Sequence, residues 1–163
     1  MTEEPLGPIT GCKTYVEWAA QFNPCPASFS RNLYGLVRDH GIHTDPHNLS
    51  PIQPPKGPMK LCFMNAYNLA IEDDRLTYVE GFALNIIPIH HAWNIDREGR
   101  LVENTWKTPG VEYFGVPFKT IYVAEAINET GRYSLMFNPH FRRILNDQLS
   151  DMLPEQYLKS SCN

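Results

Sequence analysis

The chain reads as α+β, with an antiparallel sheet packed against helices. Three features predict it. Helical periodicity fills most of the first forty residues, two-residue alternation runs from Leu76 to Trp106, and helical periodicity returns after Thr120. A run of strands between runs of helices gives no alternating βα pattern, so a parallel sheet is not expected.

The 163 residues suit one domain over residues 1–163, and 42 % hydrophobic content is enough for a core. Met1 to Gly11, broken by Pro5, Gly7 and Pro8, reads as a flexible or irregular arm. Net charge is −4 without a lysine or arginine cluster, which argues against nucleic acid as a partner. No apolar run approaches the roughly 20 residues that cross a bilayer, so no membrane partner is expected. The acidic start Met1-Thr2-Glu3-Glu4-Pro5 has no signal-peptide core, which points to the cytoplasm and to four free thiols, Cys12, Cys25, Cys62 and Cys162.

Taken in order, Thr14 can cap a helix whose apolar face is Tyr15, Trp18, Ala19 and Phe22, and Asn23-Pro24-Cys25-Pro26 stops it. A second helix is expected from Ser28 or Ser30 to His40, with Leu33, Leu36 and Val37 inward and Gly41 as its stop. Gly41 to Pro58 holds five prolines and reads as a loop, long enough to be a wall of a site. Leu61 to Ile71 reads as helix, with Cys62, Ala66, Leu69 and Ala70 on one stripe.

Strands are expected at Leu76–Ala83, Ile87–Ile95 and Leu101–Trp106. Asp96-Arg97-Glu98-Gly99-Arg100 is turn chemistry, with Gly99 free to take a positive φ, so His90–Ile95 and Leu101–Trp106 form a hairpin. Thr108 to Gly115 reads as a loop. A helix from a Thr120 cap to Thr130, closed by Gly131, is followed by a short strand at Tyr133–Phe137 and a last helix opened by Asn138-Pro139. Pro154 interrupts the remainder, Leu149 to Asn163.

The chemistry concentrates in four residues. Cys62 stands in the first turn of its helix, where unpaired amides and the positive end of the dipole favour a thiolate. The plain alternative is a small buried hydrophobe. Alternation puts His91 on one strand face with Ile89 and Trp93, and His90 on the other, so only one histidine can meet the thiol; His91 is the better candidate for a base. Glu103 and Asn104, beyond the turn, also face opposite ways, and either could hold the imidazole in one tautomer. Nucleophile, base and orienter make a thiol triad.

Cys62 at a helix start, His91-Ala92-Trp93, a turn, and Glu103-Asn104-Thr105-Trp106 resemble the core of the transglutaminase-like branch of papain-like cysteine enzymes. The resemblance covers Leu61 to Trp106, extending toward Tyr113-Phe114-Gly115-Val116-Pro117, and does not reach the first sixty residues. It implies a nucleophile helix packed on an antiparallel sheet with flanking helices, Cys62 as nucleophile and His91 as base. The family's third motif is Asp-Pro-Thr. Here Glu103 stands for the aspartate and Asn104 for the proline, while papain-like enzymes proper use an asparagine in that role. The register of Thr105-Trp106 puts Glu103 ahead.

An oxyanion hole would start from the Cys62 amide. The resemblance adds Gln53 as a second donor, and Asn65, one helical turn along, is another. Tyr78 and Glu80 are expected to line the pocket beside Trp93.

The implied activity is a cysteine-dependent hydrolase or acyltransferase acting on an amide or peptide-type bond in a peptide, protein or small amide, with no cofactor. The competing reading is an inactive papain-like fold that binds a peptide or small ligand. Asp39, His40, His43, Asp45 and His47 have metal-ligating chemistry, but they straddle a helix end and a proline loop, so a solvated turn is the better reading and no metal site is assigned. The sequence does not determine oligomeric state.

Overall fold

The computed structural model describes residues 11–22, 29–136, 138 and 149–158. Helices α1 (Cys12–Phe22) and α2 (Phe29–His40) come first, then strand β1 (Ile42–Thr44) and helix α3 (Cys62–Glu72). Strands β2 (Thr77–Leu84), β3 (Pro88–Ile95), β4 (Leu101–Val102) and β5 (Glu112–Phe118) follow, then helix α4 (Thr120–Thr130) and a 3₁₀ turn, Glu155–Tyr157. Among the described residues these strands make a curled antiparallel sheet in the order β1-β5-β2-β3-β4.

Alternation along the strands divides the interior. Tyr78, Phe82, Ala92, Phe114, Val116 and Phe118 face the helices, where Val16, Val37, Ala66, Ala70, Val123 and Ala126 meet them. Val79, Ala83, Trp93, Ile95, Leu101 and Tyr113 form a smaller core on the other face. A tight crossing makes room for Trp93. Gly81 pairs with Gly115 across β2 and β5, and a Cβ on Gly115 would stand 2.6 Å from the indole Cη2.

Several expectations change. Thr108 to Gly115 is not all loop: β5 begins at Glu112 and lies between β1 and β2. It is buried on both faces from Tyr113 onward, so it shows no alternation, and Gly115 and Pro117 look like turn residues. Pro117 is tolerated because β1 pairs only with Tyr113, Phe114 and Gly115. Gly41 to Pro58 likewise contains strand β1. Helix α1 starts before Thr14, and its cap comes from afar: the Glu112 carboxylate accepts from the amides of Cys12 (2.8 Å) and Lys13 (3.4 Å). Thr120 is the first residue of α4 rather than its cap, while Gly131 closes the helix with a φ of 68°.

The expected strand at Tyr133–Phe137 is irregular over residues 133–136, and its donors go to one buried carboxylate. Glu80 accepts from the Tyr78 hydroxyl (2.8 Å), the Ser134 hydroxyl (2.7 Å) and the amides of Leu135 (2.8 Å) and Met136 (3.0 Å). His90 Nε2 stands 3.0 Å from the same carboxylate. Burial pushes the Glu80 carboxyl up, but the hydrogen bond and charge of His90 and the other donors outweigh it, so Glu80 is held below the usual carboxylate range. Glu80→Gln keeps the shape, loses the charge and offers an N–H to a cluster of donors. Urea denaturation is expected to show a loss of about 2–4 kcal/mol, whereas Gln at the exposed Glu129 should change little. The arm before Gly11, the stop at 23–26 and the helix expected from Pro139 lie outside the described residues.

No helix among the described residues is long and apolar enough to cross a membrane.

Candidate active site

Strand β3 is eight residues long, but β4 pairs only with Asn94 and Ile95. At His91, therefore, no strand among the described residues lies on that side of β3. The His91 ring belongs by alternation to the Trp93 face, helix α3 packs on the opposite face, and the two meet past the end of β4. The Cys62 thiol lies near enough to the His91 ring to help raise it, and His91 Nε2 lies 2.8 Å from Glu103 Oε2. With Nε2 engaged by Glu103, Nδ1 is the nitrogen left for the thiol. Cys62, His91 and Glu103 are all buried, with exposures of 8 %, 1 % and 4 %.

β4 does not extend to Trp106 as the alternation predicts. The chain turns after Val102, and the turn is organised by Glu103 itself. Its Oε1 accepts from the amides of Thr105 (2.8 Å) and Trp106 (3.0 Å). This folds the longer glutamate side chain back over its own backbone, so that Oε2 reaches His91. The Tyr113 hydroxyl donates to the same Oε2 at 2.9 Å and accepts the Gly110 amide at 2.8 Å. Burial raises the Glu103 carboxyl, but the hydrogen bond and charge of His91 and the two amides hold it below the usual range. Burial would lower the imidazole, but hydrogen bonds to Cys62 and Glu103, with their charges, raise it to about 9.

These shifts fix the sign of the pH dependence. The raised His91 contributes stability that is full below the unfolded histidine value of about 6.5 and is lost as pH rises through about 9. The lowered Glu80 and Glu103 contribute stability that is full above the unfolded value of about 4.3 and is lost as pH falls below it. Urea unfolding between pH 3 and 10 should therefore show a plateau between roughly pH 5 and 6.5, with decline on both sides. His91→Gln should remove much of the alkaline decline and leave the acid one.

The other expected site residues go elsewhere. Asn104 does not meet His91; its Nδ2 donates to the Asn65 carbonyl at 2.9 Å. Asn65 spends both N–H groups on the Pro58 carbonyl and Thr105 Oγ1, each at 2.9 Å, so it has no donor left for an oxyanion. Gln53 is exposed and turns its amide onto the Ser50 carbonyl. Tyr78 and Glu80 are fully buried beneath the helices, with Tyr78 within electrostatic reach of Cys62. Burial, with the Glu80 charge and hydrogen bond, pushes the Tyr78 hydroxyl well up, which keeps it a donor. Trp93 donates from Nε1 to Thr44 Oγ1 at 3.1 Å and backs the His91 ring at 6.3 Å.

The proline segment packs along β4 and the turn that follows it. Ser50 and Asn48 bond to Leu101, the Gly57 amide donates to the Asn104 carbonyl (2.6 Å), and Lys56 Nζ bonds the Glu103 carbonyl. A Cβ on Gly57 would fall 2.4 Å from Asn65 Cγ, so only glycine fits there. Lys60 takes a left-handed φ of 68° where the chain swings into α3. Leu61 precedes the helix without a side-chain oxygen, so its side chain does not cap the amides beside Cys62.

The Asp39–His47 cluster disperses: Asp39 pairs with Arg38 at 2.8 Å, Asp45 accepts the His47 amide at 2.8 Å, and His43 lies 3.8 Å from Glu112. Among the described residues no three metal-ligating side chains converge. Sequence reasoning missed Tyr113 and the ring of Trp106, which stacks on His91 at 4.2 Å. Trp106 stands three residues past Glu103 in the sequence motif; the resemblance extends toward Tyr113, but without β5 as a strand no role is legible for it.

No protein-family model, no curated protein and no solved structure matches the chain.

Proposed function

We propose that the chain is a cysteine-dependent hydrolase or acyltransferase acting on an amide or peptide-type bond, built on a papain-like or transglutaminase-like core. The observation that carries this reading is a single imidazole shared between a helix-start thiol and a buried, fully bonded carboxylate. Glu103 holds the Nε2 proton and thereby aims Nδ1 at Cys62. His91 takes the thiol proton, and the Cys62 sulfur adds to the carbonyl carbon. The amides that open α3 face the negative charge that develops on the oxygen. His91 then gives its proton to the departing amine as the C–N bond breaks. Water or a second amine attacks the thioester, transfers a proton to His91, and releases Cys62. A free thiol nucleophile suits a reducing compartment, and the cytoplasm is the proposed one.

A second reading keeps the cradle without turnover, as a peptide- or small-ligand-binding module. Asn65 favours it, because both its donors are already used and the oxyanion would rest on backbone amides alone.

Alkylation with iodoacetamide between pH 5 and 9, followed at each cysteine by peptide mass spectrometry, tests the proposal. Cys12 is the internal control: burial and the Glu112 charge push its thiol up to about 12, so it should stay unreacted. Fast reaction of Cys62 at pH 6 supports the enzyme reading. Reaction of Cys62 only after denaturation would leave it a core thiol.

A further inference from the structure

We infer that Tyr113 is a positioning residue of this site: its hydroxyl, shared onto the carboxylate oxygen that meets His91, sets how strongly Glu103 holds the imidazole's proton and fixes the ring toward Cys62. This rests on the proposed reading of Cys62, His91 and Glu103.

The geometry begins with the carboxylate. Glu103 Oε1 is committed to the amides of its own turn, which fix it only relative to that turn. Oε2 has two partners from elsewhere, His91 Nε2 at 2.8 Å and Tyr113 Oη at 2.9 Å. Tyr113 is fully buried in β5, paired with Thr44 on one side and Ala83 on the other. Its ring meets Trp93 edge-on at 5.1 Å. Its hydroxyl also accepts the Gly110 amide at 2.8 Å, so the O–H proton has one direction left, toward Glu103. The tyrosine therefore ties the turn that carries Glu103 to the centre of the sheet that carries His91. A glutamate has one more rotatable bond than an aspartate, and this tie removes the freedom that bond adds.

The hydroxyl also acts electrostatically. A hydrogen bond donated to Oε2 spreads charge that would otherwise fall wholly on the imidazolium. Among the described residues, the titratable or charged groups facing this cluster are Cys62 from α3, Tyr78 from β2 toward Cys62, Glu103 from the turn, Tyr113 from β5, Cys12 from α1 toward Tyr113, and Lys56, whose Nζ bonds the Glu103 carbonyl. His90 and Glu80 lie on the opposite sheet face. Tyr113 is the only side chain among the described residues, besides His91, that donates to the Glu103 carboxylate. Burial and the Glu103 charge push its phenol far up, so it stays a donor across the working pH range.

The test is an NMR titration of the His91 imidazole, independent of turnover, in three proteins besides the wild type. Tyr113→Phe removes the hydroxyl and keeps the ring. Its His91 midpoint should rise by about one pH unit, and Cys62 alkylation should move its alkaline step by the same amount. A fluorinated tyrosine placed at position 113 is a stronger donor and should move both downward. Thr44→Val removes a hydrogen bond of similar size to Trp93 in the same core and should move neither. Opposite shifts from the phenylalanine and fluorotyrosine proteins support the inference. Equal shifts in Tyr113→Phe and Thr44→Val, or none in either Tyr113 variant, would overturn it. The fluorinated protein keeps every native contact and serves if the phenylalanine variant does not fold. If Cys62 of the wild type shows no fast alkylation at pH 6, the functional proposal fails; if it does and only the Tyr113 shifts are missing, Tyr113 alone loses its role.

Discussion

Replacing His91 by alanine is expected to slow alkylation of Cys62 at pH 6 by about 100-fold. An ordinary thiol is only about 0.3 % ionised at that pH, and without the imidazole as base alkylation would rest on that small fraction. The ring is buried, held by Glu103 at 2.8 Å and near Cys62, and among the described residues no second histidine shares its sheet face. His90 is its neighbour in sequence but faces the helices, 3.0 Å from Glu80. His90→Ala should therefore lower stability and leave the shape of the Cys62 pH profile unchanged. Measuring the two variants side by side separates loss of the base from general loosening. Similar slowing in both would mean that the imidazole of His91 has no special relation to the thiol.

The second large effect belongs to Glu103. Truncation to alanine removes the acceptor of four donors at once, His91 Nε2–H, Tyr113 O–H and the amides of Thr105 and Trp106. All four sit where water cannot readily replace the carboxylate, since Thr105 and Tyr113 are 1 % and 0 % exposed. Breaking a buried pair in this way costs about 3–5 kcal/mol, which urea denaturation would read directly. Glu103→Gln keeps both oxygen-bearing length and the turn, but its amide must offer an N–H where another donor already points, so it should be intermediate. Glu103→Asp keeps the charge and shortens the reach by one methylene. It should preserve more stability than alanine while losing much of the Cys62 reactivity, because the carboxylate can satisfy the turn or the ring but not both. Asn104→Ala should leave that reactivity largely intact, since the Asn104 amide bonds the Asn65 carbonyl and not His91.

Much of this arrangement is legible in the residues. The stripe Cys62, Ala66, Leu69 and Ala70 puts helix α3 on the sheet, and all but the half-buried Leu69 are buried. Alternation separates His91, with Ile89 and Trp93, from His90, but it does not tell that the His91 face is the one turned away from α3. Gly99 and Gly131, at φ of 75° and 68°, punctuate a turn and a helix end as glycines there should. What escapes the sequence is non-local. The strand character of β5 comes from burial on both faces, which erases the period-two signal, and its glycine and proline imitate a loop. The turn at residues 103–106 forms because a carboxylate caps amides two and three residues ahead, while the alternating pattern there matches a strand equally well. The α1 cap lies 100 residues away on Glu112, and no local motif encodes it. Glu80, a charged residue in the middle of a buried strand, is explained by Tyr78, His90 and the donors that residues 134–136 bring to it from far along the chain.

The most direct test of the account is whether Cys62 can be acylated. The protein is mixed with p-nitrophenyl acetate near pH 7, quenched in acid, and mapped by peptide mass spectrometry. The account predicts a burst of nitrophenol matched by one acetyl group on Cys62, absent in His91→Ala and slowed in Glu103→Asp. An unmodified Cys62 in folded protein that gives no burst would contradict it, and would leave the cradle of thiol, imidazole and carboxylate as architecture alone.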